Sequence, residues 1–144
     1  MNAFLATVSD RNGFVHHNGA ALQKKAENVT TVGIIGSGQI GCALARLAVE
    51  AGHQVVLSNS RGPETLADTV ALLGPQASAA TSTDAAAAGD IVVITVPVNA
   101  FPNLPAAALA GKTVIDTCNY GPERDGQIPE LDDKSFAGSG RRVR

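Results

Sequence analysis

Aromatic side chains are scarce in this 144-residue chain: 3% of the total, with no Trp and a single Tyr. A surface that stacks nucleobases needs such rings, so the composition argues against nucleic-acid binding. Positive charge is not in excess either. The formal net charge is −2, which leaves no footprint for a phosphate backbone. Cysteine is equally thin: Cys42 and Cys118 stand far apart in unlike contexts, with neither metal-ligand spacing nor a disulfide framework. A reducing cytoplasm is the simpler expectation. No apolar run approaches the length that spans a bilayer. The opening stretch from Met1 to Val8 lacks a basic region and soon meets Asp10 and Arg11, unlike a secretory leader.

What is there is small and aliphatic. Hydrophobic residues make up 44% of the chain and charged ones 17%, the balance of a folded domain rather than a disordered chain. Ala, Val, Leu and Ile must fill the core, and such side chains suit a parallel sheet closely covered by helices.

Residues 1–29 carry no sustained period of two or of 3.6. They are expected to be an N-terminal extension, loosely structured or forming one short helix. Regular punctuation begins at Thr31. Thr31-Val32-Gly33-Ile34-Ile35 is a short apolar run ending in glycines, a buried strand. Ile40, Leu44, Leu47 and Ala51 then recur at helical spacing, and Gly52 stops the helix. Gln54 to Leu57 is a second strand. Pro63 opens a helix whose stripe is Leu66, Val70 and Leu73. A weak strand at 77–80 precedes an alanine-rich helix capped by Thr81 or Ser82. Ile91 to Val96 is the strongest strand, terminated by Pro97; a proline-interrupted helix and a last strand, Thr113 to Asp116, follow. This rhythm predicts an α/β fold, a doubly wound parallel sheet with helices on both faces, over residues 30–118. Residues 119–144, rich in Gly and Pro, read as a truncated or irregular tail.

Gly36-Ser37-Gly38-Gln39-Ile40-Gly41 matches G-x-G-x-x-G, directly after a strand and opening a helix. Each glycine answers a separate demand. The first makes the tight turn, the second admits a pyrophosphate close to the backbone, and the third lets helix and strand pack. Free N–H groups at the helix start then face the phosphates. In this context the motif predicts a Rossmann-type dinucleotide site.

The end of the second strand chooses the dinucleotide. A site for NAD usually places Asp or Glu there, to accept the ribose 2′-OH. This chain has no carboxylate between Glu50 and Glu64 and instead runs Ser58-Asn59-Ser60-Arg61. A carboxylate would repel a 2′-phosphate, whereas a hydroxyl and a guanidinium attract it, so the cofactor expected is NADP(H). At the fourth strand's end, Val96 and Pro97 are placed to wall the nicotinamide ribose. Asn119 or Tyr120, after the fifth strand, is placed to meet the carboxamide or a substrate, while Asp116 equally suits a satisfied strand end. His16, His17 and His53 have no partners at useful spacing and read as surface residues. Cys42 reads as a small helix residue. Glu130, Asp132, Asp133 and Lys134 form a solvated charge run. No catalytic residue and no metal ligand is assigned.

Beyond single motifs, the chain resembles the NADP oxidoreductases that depend on the deazaflavin coenzyme F-420. The resemblance runs from Thr31 to about Asp133. It rests on the glycine segment, on Leu57-Ser58-Asn59-Ser60-Arg61-Gly62-Pro63-Glu64-Thr65-Leu66 and on Gly111-Lys112-Thr113-Val114-Ile115-Asp116-Thr117. Arg124-Asp125-Gly126-Gln127-Ile128-Pro129-Glu130-Leu131-Asp132-Asp133 adds to it. It implies reversible hydride transfer between NADPH and the deazaflavin as second substrate, with Ser60 and Arg61 on the 2′-phosphate. It also implies a homodimer, weakened here by the short C-terminal part. Two other readings stand beside it: a non-catalytic NADP-binding module, and a reductase of an imine or small carbonyl.

Overall fold

β-Branched residues dominate the runs that build the sheet, as their stiff side chains favour the pleated surface. The computed structural model describes residues 29–129, together with the backbone at 8–9 and 15–16. Five strands form one parallel sheet: β1 (Thr31–Ile35), β2 (Gln54–Ser58), β3 (Ala77–Ala79), β4 (Ile91–Ile94) and β5 (Thr113–Asp116). Their order is β3-β2-β1-β4-β5. The chain therefore leaves the central strand in one direction, returns across it, and continues in the other. That reversal opens a crevice beyond the carboxyl ends of β1 and β4, where ligands of open α/β sheets lie.

Alternation along the strands divides the core in two. Ile34, Val55, Leu57, Ala77 and Val93 point to one face with Ala45 and Leu66; Ile35, Val92 and Ile94 point to the other with Ala86, Phe101 and Leu109. The first face is covered by α1 (Gln39–Glu50), by a 3-10 turn (Pro63–Leu66) and by α2 (Ala67–Leu73). The second is covered by α3 (Ser82–Ala88), by a 3-10 segment (Val98–Asn103) and by α4 (Ala106–Leu109). Helices thus lie on both faces, as the sequence predicts. Gly33 has a packing role that the strand pattern alone does not suggest. A Cβ built there would lie 2.2 Å from the Ala85 carbonyl oxygen, so its bareness lets α3 sit directly on β1.

Several boundaries shift. β4 stops at Ile94 rather than Val96; the Thr95 N–H makes the last bond of the β1–β4 ladder, to the Ile35 carbonyl 2.8 Å away. Pro63 opens a 3-10 turn before α2. Thr81, not Ser82, caps α3, its hydroxyl accepting the Asp84 N–H at 3.1 Å. In α1 the phase differs from the simple apolar repeat. Gly41 and Ala45 are buried, whereas Ile40 and Leu47 are more than half exposed. The close approach of α1 to the sheet selects its smallest side chains. His53 is not a bare surface residue, since its Nδ1 accepts the Thr30 N–H at 3.2 Å. In the described part of the tail, Pro122–Asp125 forms a short helical turn, α5. In the N-terminal extension, Val8–Ser9 pairs antiparallel with Val15–His16. The rest of that extension and of the tail, with His17, Glu130, Asp132, Asp133 and Lys134, lies outside the described residues.

Candidate functional site

At the carboxyl end of β1 the backbone reverses through Gly36, whose φ of 112° belongs to the region that favours glycine. A Cβ there would meet the Thr95 carbonyl oxygen at 2.5 Å, and one on Gly41 would meet the Gly36 carbonyl oxygen at 2.0 Å. Both glycines are required by the fold itself. Gly38 is different. Its φ and ψ of −74° and −167° suit any residue, and a Cβ there would have no atom within 4 Å. Nothing in the protein needs that position bare.

Gly38 is also the N-cap of α1, which has no side-chain cap and no acidic residue in its first turn. The contrast with α3 is direct, because Thr81 caps that helix and Asp84 lies in its first turn. The positive end of α1 thus has neither a side-chain cap nor an acidic residue of its own first turn to offset it. Two bonds fix the turn in place: the Gly36 N–H donates to the Ser58 carbonyl at 3.0 Å, and the Thr95 hydroxyl donates to the Gly36 carbonyl at 3.0 Å. The ends of β2 and β4 are thereby pinned to it.

Beyond Ser58, itself fully buried with its hydroxyl on the Ile34 carbonyl, the chain forms a tight loop. Asn59 organises it. Its Oδ1 accepts the N–H groups of Arg61 and Gly62, both at 3.0 Å, and its Nδ2 donates to the Thr65 hydroxyl at 2.9 Å. The Asn59 side chain shapes the loop, leaving Ser60 and Arg61 exposed at its tip. Among the described residues, no hydrogen bond or ion pair holds the Arg61 guanidinium.

These elements enclose a cleft of about 730 Å³, within the range of cofactor sites. Gly36, Ser37, Gly38, Asn59, Ser60, Arg61, Val96 and Pro97 all line it, so eight of the residues singled out from sequence come together. Ile40 and Asn119 line an adjoining pocket of about 160 Å³, which shares Thr95, Val96 and Pro97 with the cleft. Gln39 and Gly41 line neither cavity. Sequence reasoning missed Ser82, Thr95, Ala100, Asn103 and Leu104 in the cleft, and Thr117 and Arg124 in the pocket. Thr95 carried a signal, as a hydroxyl at the mouth of the strongest strand; the others follow only from the topology.

The pocket's outer wall is a small charged knot. Arg124 pairs with Asp125 at 2.7 Å, and its Nε donates to the same carboxylate at 3.0 Å. Asp125 also accepts the Gly121 N–H at 2.9 Å. The Arg124 hydrogen bonds, with those from Gly121 and Val98, hold the Asp125 carboxyl below its ordinary range despite some desolvation. Arg124 further donates to the backbone carbonyl and side-chain oxygen of Asn119. The Tyr120 hydroxyl donates to the Gly126 carbonyl and accepts the Ile128 N–H, so it braces the loop. Asp116 accepts the Cys118 N–H at 2.8 Å, the satisfied strand end. Burial, then Asp116, push the Cys118 thiol up to about 12, which makes it inert. Cys42 donates its thiol to the Ser37 carbonyl at 3.2 Å. Among the described residues, no cluster of three or more His, Cys, Asp or Glu can hold a metal, and no helix is long and apolar enough to cross a membrane.

Comparison with known proteins points the same way. Residues 31–120 match the family model described as NADP oxidoreductase, coenzyme F-420-dependent. No curated protein matches the chain. Among solved structures, one from Arthrobacter sp. FB24, provisionally described as an F-420-dependent NADP-reductase, is 23% identical with a TM-score of 0.56. That alignment covers 64% of this chain and 46% of the other. A hypothetical protein from Sinorhizobium meliloti is 26% identical with a TM-score of 0.57, over 78% and 55% of the two chains. An imine reductase from Myxococcus stipitatus, solved with NADP+, is 25% identical with a TM-score of 0.53, over 65% and 33%. The chain spans about half the length of the first two.

Proposed function

Because the chain belongs to the family of coenzyme F-420-dependent NADP oxidoreductases, we propose that its cleft binds NADP(H) for hydride exchange between NADPH and a deazaflavin. One observation carries the reading: Gly38 is bare where the fold does not require it, at the uncapped start of α1. A diphosphate fits that space, and the helix supplies its donors. Ser60 and Arg61 hold the 2′-phosphate, the guanidinium being free to form a bidentate pair. Val96 and Pro97 then form the wall along which the cofactor's other half lies.

NADPH, when bound, supplies the hydride. What the chain contributes is alignment, since neither cavity is lined by a His or a carboxylate. Stacking two flat rings needs no general base, so catalysis here is positioning and exclusion of water. Thr95 serves that end by tying the glycine turn to the wall beside it.

A second acceptor class has one observation behind it. Imine reductases of similar fold, 25–26% identical, share this domain, which keeps an imine within the proposal. Stopped-flow mixing of NADPH with oxidised deazaflavin, in parallel with a cyclic imine, separates the two. Tight NADPH binding with no turnover of either acceptor would leave the non-catalytic module; no NADPH binding would end the proposal.

A further inference from the structure

The smaller pocket beside the cleft is lined by Ile40, Val96 and Pro97 on its apolar side and by Thr117, Asn119 and Arg124 on its polar side. Arg124 has donors only, so the Asn119 atom that faces its Nη1 must be the oxygen, 3.4 Å away. A second bond, from Nη2 to the Asn119 backbone carbonyl, grips the same residue. The Asn119 amide is thereby fixed in one orientation, with its two N–H donors turned away from Arg124. Asp125 occupies the other side of the guanidinium and offsets its charge. The wall therefore offers hydrogen-bond donors without net charge, which suits a neutral carbonyl oxygen better than an anion.

Resting on the NADP(H) reading above, we propose that Asn119 donates to the carboxamide oxygen of the nicotinamide. Arg124 is the positioning residue that holds Asn119 in the donating orientation. The ligand class of this pocket is then a neutral carboxamide on a flat ring, and the Arg124–Asp125 pair selects it by fixing an amide rather than by presenting charge. Asn119→Asp keeps an oxygen towards Arg124 and removes the donor. Arg124→Gln removes the grip and leaves Asn119 in place.

Calorimetry with adenosine 2′,5′-bisphosphate and with NADPH, on the wild-type chain, both single variants and the double variant, tests this directly. The bisphosphate reads only the cleft. All four proteins should bind it equally, while each single variant binds NADPH about tenfold more weakly, the size of one lost hydrogen bond. Because Arg124 acts through Asn119, the double variant should lose no more than Asn119→Asp alone. The enhancement of NADPH fluorescence on binding should fall in step. Wild-type NADPH affinity in Asn119→Asp, additive losses in the double variant, or equal loss of both ligands would overturn the assignment. Failure of the wild-type chain to bind the bisphosphate would remove the parent reading, and this one with it.

Discussion

Replacing Gly38 by Ala separates what the fold needs from what the ligand needs. The new methyl group meets no atom within 4 Å, and the backbone angles are those of an ordinary residue. Two modest terms oppose each other in stability. Restricting the unfolded chain favours the variant by about 0.4–1 kcal/mol, and Ala is a poorer N-cap than Gly by a similar amount. The expected net change is within about 1 kcal/mol, or roughly 5 °C in melting temperature for a domain of this size. Binding behaves otherwise. A Cβ in the phosphate cradle displaces the diphosphate from the N–H groups of the α1 start, and hydrogen bonds to a charged group contribute about 1.5–3 kcal/mol each. Loss of two of the weaker kind gives about 3 kcal/mol, roughly a 150-fold fall in NADPH affinity. Thermal melts in the absence of ligand, paired with calorimetric titration of NADPH, read both quantities. Gly41→Ala is the control: its Cβ would lie 2.0 Å from the Gly36 carbonyl oxygen, so melting temperature and affinity should fall together. Should Gly38→Ala bind NADPH as wild type does, the phosphate cradle is elsewhere and the reasoning fails.

Arg61→Ala should weaken NADPH by about 1.5–3 kcal/mol and leave NADH nearly unchanged; equal losses for the two nucleotides would show that the guanidinium does not read the 2′-phosphate. Gly33→Ala drives a methyl into the Ala85 carbonyl at 2.2 Å, and chemical denaturation should show a cost of about 1–3 kcal/mol or more. For Asp125, the folded state favours the ionised carboxyl, so its stabilisation is fully present above the ordinary range, near pH 4, and is lost as pH falls through the lowered folded value. Melting temperature against pH should therefore drop less steeply on the acid side in Asp125→Asn than in wild type; parallel curves would exclude the role. The Cys118 thiol, pushed up to about 12, should resist iodoacetamide at pH 8 in the folded chain and react in urea, as peptide mass spectrometry will show.

The parts of this molecule legible in sequence are those fixed by neighbours in the chain. Strand, glycine turn and helix follow from a continuous stretch, and so does the loop with Ser60 and Arg61, because hydrophobic period and turn chemistry act locally. The phase of α1 was less legible. Ile40 and Leu47 have the spacing of a buried stripe, yet the sheet prefers contact with Gly41 and Ala45, a matter of helix-to-sheet distance that no period encodes. Likewise Gly33 reads as a weak point in a strand until Ala85, more than fifty residues later, is laid across it. Asn59 lines the cleft, and its part in bracing its own loop through Oδ1 and Nδ2 is visible only in the fold. Arg124 and Asp125 sit in a stretch of Gly and Pro that shows no period at all. Their adjacency between Pro122 and Gly126 was the available signal, and only the fold reveals that the pair borders a pocket.

The placement of β1 has a consequence for how the protein is made. Its partner on one flank, β2, follows within about twenty residues, but Val32 meets Ile91 on the other flank only about sixty residues later. At ribosomal speeds of about 5–20 residues per second, the nascent chain leaves that flank open for roughly 3–12 s. The Thr95 stitch to Gly36 cannot close before β4 has emerged, so in a newly synthesised molecule the glycine turn is pinned only once the chain has grown past the middle of the sheet.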